Sequence, residues 1–279
     1  GESVPRGYLQ VLVSKDTQPI PVDHSGRVEL GQWLTDVENG AGLLAARVMA
    51  NRVWRHLIGQ GLVRTVDNFG RTGEAPSHPG LLDYLAGELI ESGWSIKSLV
   101  RQIVLSRTFV MSSAHDESGH ELDTENRLLW RAHRRRLDPE SLRDAMLATA
   151  EQLDVAWVES TVSYLGDQAT AVGKNENRRR TDFPCRSVYL PVIRNDLPEL
   201  FEAFDFADPH ATTGARSQTN DATQGLFLLN DTMVMDAAEA MARRLGGQGD
   251  PATRMDRLFD SILCKRPTEE ERNEFARFL

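Results

Sequence analysis

The chain has 279 residues, with 32 Lys and Arg against 41 Asp and Glu, a formal net charge of −9 and 40% hydrophobic residues. This is enough chain to bury a core without disulfide or metal staples, and the acidic balance argues against a nucleic-acid binder working through bulk charge. No apolar run approaches the roughly 20 residues of a membrane-spanning helix, and no n-region, apolar h-region and cleavage site open the chain at Gly1.

Residues 1–36 read as an extended lead-in packing on the body. Tyr8 to Val13 suit an extended segment, and Pro19, Pro21 and Gly26 interrupt anything longer. From about residue 40 the pattern turns helical. Leu43, Ala46, Ala50, Val53, Trp54 and Leu57 recur at helical spacing until Gly59 and Gly61. Leu43, Ala50, Trp54 and Leu57 are expected at the centre of the buried face, with Arg47 and Asn51 on its flank. After a loop over 63–73, Ser77 is expected to cap a helix from Pro79 to Gly93, and Ser95 to open the next.

Residues 124–136 read as a helix carrying Leu128, Leu129 and Trp130, and Asp138-Pro139 opens another to about Leu153. Residues 155–185 hold no sustained period and read as a long loop that includes Arg178, Arg179 and Arg180. Ser187 to Ile193 is the best strand or extended candidate. Asn195 or Asp196 is expected to cap Leu197–Phe204, and Asn230 a helix reaching Leu245. Asp250-Pro251 opens a further helix, and Thr268 with Glu271 forms a capping box for the last. The expected fold is therefore all-α: a compact multi-helix domain over 37–279 with long polar loops and at most a short extended segment or small hairpin.

Twenty-eight of the basic residues are arginine and four are lysine (Lys15, Lys97, Lys174, Lys265). Arginine binds carboxylates and anions bidentately, so anion recognition and buried Arg–carboxylate networks are the two functional readings of this bias; codon usage is the plain one. An arginine beside Trp54 on a buried helix needs a carboxylate, because an uncompensated buried charge costs several kcal/mol, order of magnitude. Asp67 and Asp205 are the expected partners of Arg47. His115 and His120 have no zinc spacing and read as a solvated loop. Cys185 and Cys264 lie in no metal or redox pattern. A disulfide between them and two separate thiols both fit; the absence of a pattern favours separate thiols. A nucleophile elbow, a phosphate loop, a His-Glu-x-x-His and a dinucleotide fingerprint are all missing.

Several phrases in order carry a resemblance. They begin with Asn51-Arg52-Val53-Trp54, Gly59-Gln60-Gly61, Asp67-Asn68-Phe69-Gly70 and Pro76-Ser77-His78-Pro79. Ser92-Gly93-Trp94-Ser95, Glu125-Asn126-Arg127, Arg143-Asp144-Ala145, Arg186-Ser187-Val188-Tyr189, Phe204-Asp205 and Leu226-Phe227-Leu228-Leu229-Asn230 follow. Over about 27–279 the chain resembles the domain of unknown function numbered 1553, a family typical of planctomycetes. The resemblance implies an exported or periplasmic protein whose upstream part carries cytochrome-c-like and helical domains. A haem would then lie upstream, with no cofactor in this chain. It implies no catalytic residues. A departure is Ala211 to Gly214, where many relatives carry a cysteine nearby. Arg47, Asn51, Arg52, Asp67, Asn68, His78, Arg194, Asp205 and Arg216 form the candidate polar cluster.

Two functions fit. One is a non-catalytic docking or ligand-binding module of a larger haem-containing or surface polysaccharide-related protein. The alternative is an enzyme or oxidoreductase subunit acting on anionic polysaccharide, with Asn51, His78, Arg194, Asp205 and Arg216 converging in an open cleft. Partners are then the upstream domains and an anionic polysaccharide, with no nucleic acid and no membrane span.

Overall fold

A computed structural model describes residues 5–158, 183–194, 196–247 and 249–278. The described residues form eleven α-helices and no sheet, as the periodicity predicts, and none of these helices is long and apolar enough to cross a membrane. Much of the loop expected over 155–185, with Arg178–Arg180, lies outside the described residues. The chain packs as two compact units, 1–135 and 136–279, so a boundary falls inside the 37–279 span.

The first unit holds α1 (Arg27–Thr35), α2 (Gly42–Ile58), α3 (Pro79–Glu91), α4 (Ile96–Val104) and α5 (Glu117–Leu122). Helix α2 packs against α1, α3 and α4. Ala46, Ala50, Val53 and Trp54 face Leu82, Leu85, Leu89, Leu99 and Ile103 in one apolar core. Burial of these side chains is the main driving force for the unit, at about 1.5–3 kcal/mol for each large one. Leu43 departs from the expected stripe: it is 61% exposed, and the buried face starts at Ala46. The lead-in departs too. Gln10–Leu12 is a 3-10 turn, and 27–35 is helical, because Gly26 adopts φ +82° and starts α1 rather than ending a segment.

The largest correction in this unit is 124–136, which is not helical. Asn126 and Leu129 take left-handed conformations, at φ +53° and +60°. The Asp123 carboxylate accepts the amides of Arg127 (3.0 Å) and Leu128 (2.7 Å). A side chain that satisfies backbone amides locally removes the reason to form helical bonds.

The second unit holds α6 (Pro139–Thr149), α7 (Glu199–Ala203), α8 (Ala222–Asn230), α9 (Thr232–Gly246), α10 (Pro251–Leu263) and α11 (Glu269–Phe278). Helix α9 contacts α6, α8 and α10, and α6 contacts α7. Cys185, Leu190, Leu200, Phe201, Phe204 and Met233 make its core. Caps read from the sequence recur here. Asp250 accepts the amides of Ala252 and Thr253, and Thr268 and Glu271 exchange backbone bonds at 2.8 and 3.2 Å. Asn230 does not cap α9; Asp231 does. Pro198 takes the N-cap position of α7 in place of Asn195 or Asp196. Ser187–Tyr189 is a 3-10 turn rather than a strand, because Ser187 is held by side chains of α6, as described next.

Candidate functional site

In the first unit the predicted polar residues each serve a separate local task. Asn51 is fully buried on α2. Its Nδ2 donates to the Val63 carbonyl and its Oδ1 accepts the Val63 amide, both at 2.9 Å. One side chain thus stands in for a strand partner and closes the turn after α2. The two glycines there are dictated by this closure. Gly59 sits at φ +105°, and a Cβ on Gly61 would meet the Val63 carbonyl oxygen at 2.5 Å and Asn51 at 3.0 Å.

Arg47 is half-exposed and pairs with Asp83 of α3, not with Asp67 or Asp205. A helix-to-helix neighbour reaches it before any loop does. Arg52 lies 3.8 Å from Asp67. Asn68 accepts the Gly70 amide (3.0 Å) and donates to Thr72 (2.9 Å). His78 precedes Pro79 as the N-cap residue in place of Ser77, whose Oγ is 3.0 Å from His78 Nδ1. Arg64, absent from the expected cluster, braces the same loop. It bonds Glu74 (2.8 Å) and Glu125 (2.8 Å), and these two carboxylates raise its pKa. A cavity of about 10 Å³, roughly one water, lies between Trp54, Arg64, Ser77 and His133.

In the second unit Arg194 is exposed, while Asp205 and Arg216 meet different partners. Asp205 takes φ +58°, a left-handed conformation that Asp tolerates better than most residues. Its carboxylate accepts from the Thr219 amide (2.8 Å), the Thr219 hydroxyl (2.9 Å) and Arg136 (2.7 Å). Burial pushes its pKa up, but the Thr219 amide, Arg136 and the Thr219 hydroxyl outweigh it, and the net shift is downward. Arg136 also donates to the carbonyls of Phe204 (3.0 Å) and Thr219 (2.5 Å). Asp205 is therefore a loop clasp.

Arg216 forms a two-pronged bond with Glu140 of α6 at 2.6 and 2.8 Å. That geometry is the strong form of an Arg–carboxylate bond, and Glu140 raises the arginine pKa. One helical turn on, Arg143 is 4% exposed. It donates to the carbonyls of Cys185 (2.9 Å) and Phe183, and to the Ser187 hydroxyl (3.3 Å). Burial lowers its pKa, and Asp144, 3.7 Å away, opposes the shift. Asp144 Oδ1 accepts both the amide (2.8 Å) and the hydroxyl (2.6 Å) of Ser187. The same burial pushes the Cys185 thiol pKa up, the direction of an inert thiol. Cys185 and Cys264 are both free.

These bonds position the walls of an open cleft of about 490 Å³ along α6. Glu140, Ser141 and Asp144 of α6 line it, with Phe201 and Phe206. Arg186, Ser187, Val188, Leu190 and Val192 complete the lining, with Val188 76% and Val192 50% exposed. Its volume falls in the range of ligand pockets, about 300–1,000 Å³. Of the expected cluster none lines it directly, and Arg216 touches it through Glu140 and Phe206. Glu140 and Asp144 were legible as an i, i+4 carboxylate pair following Asp138-Pro139. Arg143 was not, because a helix-borne arginine between two carboxylates reads as a solvated face.

Among the described residues no group of three or more His, Cys, Asp or Glu is placed to hold a metal ion. No curated protein and no solved structure matches the chain. One family model does, over residues 26–279, and it spans both units. The chain belongs to the family described as PSD1, protein of unknown function (DUF1553).

Proposed function

We propose that this chain is a non-catalytic binding module, with the α6 cleft as its ligand seat. One observation carries the reading. Both carboxylates that line the cleft are bonded within the fold: Glu140 through both oxygens to Arg216, and Asp144 through one oxygen to Ser187. Exposed Val188 and Val192 meanwhile line the same cleft. A carboxylate bound bidentately by a guanidinium has both oxygens engaged by the fold, which suits support. Exposed apolar side chains inside a concavity suit a ligand. The family resemblance supports the setting: an exported protein in which this chain follows cytochrome-c-like and helical domains and docks to them or to a surface partner.

The alternative of an enzyme acting on anionic polysaccharide gains little from this cleft, because Arg216 and Arg143 are turned to Glu140 and Asp144 and leave Arg186 as the one arginine among its described lining residues. The test is a depolymerisation screen of the purified chain on alginate, polygalacturonate and chondroitin sulfate, run beside Asp205→Asn and Asp144→Ala. The reading predicts no chain shortening by any of the three proteins. Shortening that disappears in either variant overturns it.

A further inference from the structure

We infer that the α6 cleft takes a short, extended polypeptide segment presenting an aliphatic side chain, with its backbone bonded to Asp144 and Arg186. The inference rests on the reading of this cleft as a binding seat and names what fills it.

Three features of the walls select that ligand class. The first is charge. Glu140 is matched by Arg216, and Asp144 by Arg143 at 3.7 Å. Both carboxylates on the wall thus have their counter-cations inside the protein, which leaves no strong demand for an ionic ligand. The second is the polar pattern. Asp144 Oδ1 is engaged by Ser187, while Oδ2 accepts no hydrogen bond from the described residues. The exposed Arg186, next to Ser187, adds a donor. An acceptor and a donor beside one aliphatic wall match the N–H and C=O of an extended backbone.

The third is the shape of the apolar surface. A sugar ring needs a free aromatic face. Phe206 stacks on Phe201 with centroids 4.9 Å apart, and the Arg216 guanidinium lies 4.8 Å from its ring centre. The protein's own groups cover that ring. What remains exposed is aliphatic, Val188 and Val192, which pack against a branched or linear side chain and not a stacked ring.

The experiment uses the intact chain with labelled Ile, Leu and Val methyl groups, so that Val188, Leu190 and Val192 report from the cleft itself. The probes are pooled tripeptides, acetylated and amidated, with Leu, Ile, Val or Met at the centre, the same tripeptides with Asp at the centre, and cellotriose. The expected result is saturable shifts of the three cleft residues with the aliphatic pool and none with the Asp pool. Val192→Ser, at a half-exposed position, should weaken binding about tenfold without moving the urea midpoint. Shifts with cellotriose alone overturn the polypeptide assignment and leave the cleft reading standing. Cleft methyls that answer to no probe overturn both. Equal shifts with the Asp pool overturn the aliphatic requirement.

Discussion

The two units solve one problem by different chemistry. Each must tie an irregular segment to a central helix. In the first unit α2 does so with a neutral amide, Asn51, which satisfies both backbone groups of Val63. In the second unit α6 does so with charge, through Arg143 to the carbonyls of Phe183 and Cys185 and through Asp144 to Ser187. A buried amide is indifferent to pH and salt. A guanidinium–carboxylate set is not, and it is costly to leave half-made. The difference also has a spatial result. The neutral lock lies beside a cavity with room for about one water, whereas the charged brace joins residues that line an open cleft.

The sharpest way to break this contrast is to remove the buried cation. Arg143→Met should destabilise the second unit by about 3–5 kcal/mol, because it orphans two carbonyls and leaves Asp144 uncompensated. A loss in far-UV circular dichroism at a lower urea midpoint is the readout. Asn51→Leu is next, at about 2–4 kcal/mol, the cost of stranding one buried N–H and one C=O. Tryptophan fluorescence follows it, since four of the five tryptophans (Trp33, Trp54, Trp94 and Trp130) lie in the first unit and only Trp157 in the second. The Asn51→Leu loss should be the same at low and high salt.

Asp205 sharpens the comparison through pH. Its folded-state pKa lies below the ordinary value of 3.8. The unfolded chain therefore takes up its proton first, so the stabilisation is whole above that value and is lost as pH falls through the lower, folded value. Asp205→Asn should cost about 1.5–3 kcal/mol at neutral pH and flatten the acid limb of stability below about pH 4. His133 gives the smaller, opposite-charge case in the first unit. Burial lowers its pKa from 6.5, and Arg131 adds to the shift while Asp123 opposes it. The folded state keeps it neutral, so stability falls as pH drops below 6.5 toward the folded value, and His133→Gln should remove that component of a pH series. The smallest effect belongs to the exposed Glu239–Arg243 pair on α9: Glu239→Ala should leave the midpoint where it is.

The helices themselves were legible because their signals are local. Ser95 accepting the Ser98 amide, Asp250 on α10 and the Thr268–Glu271 box are each read from residues three or four apart. The false helix at 124–136 shows where local reading fails. Leu128, Leu129 and Trp130 supply an apolar run, but Asp123 takes the amides a helix would use. Ser187–Ile193 fails for a longer-range reason, since only the folded α6 brings Asp144 to Ser187. The polar cluster was legible as a set of polar positions and not as a set of pairs. Arg47 met Asp83 across two packed helices, and Asp205 met Arg136, 69 residues away. Partner identity at such separations is fixed by packing, which no spacing rule encodes.

If the α6 cleft is a binding seat, as proposed, its carboxylates hold the structure together and do not perform chemistry. Replacing a working group commonly leaves stability unchanged or raises it, while replacing a brace lowers it. Urea unfolding of Asp144→Ala measures which it is. A midpoint clearly below that of the parent chain, by about 1.5–3 kcal/mol in stability, is the predicted result, and an unchanged or higher midpoint contradicts it.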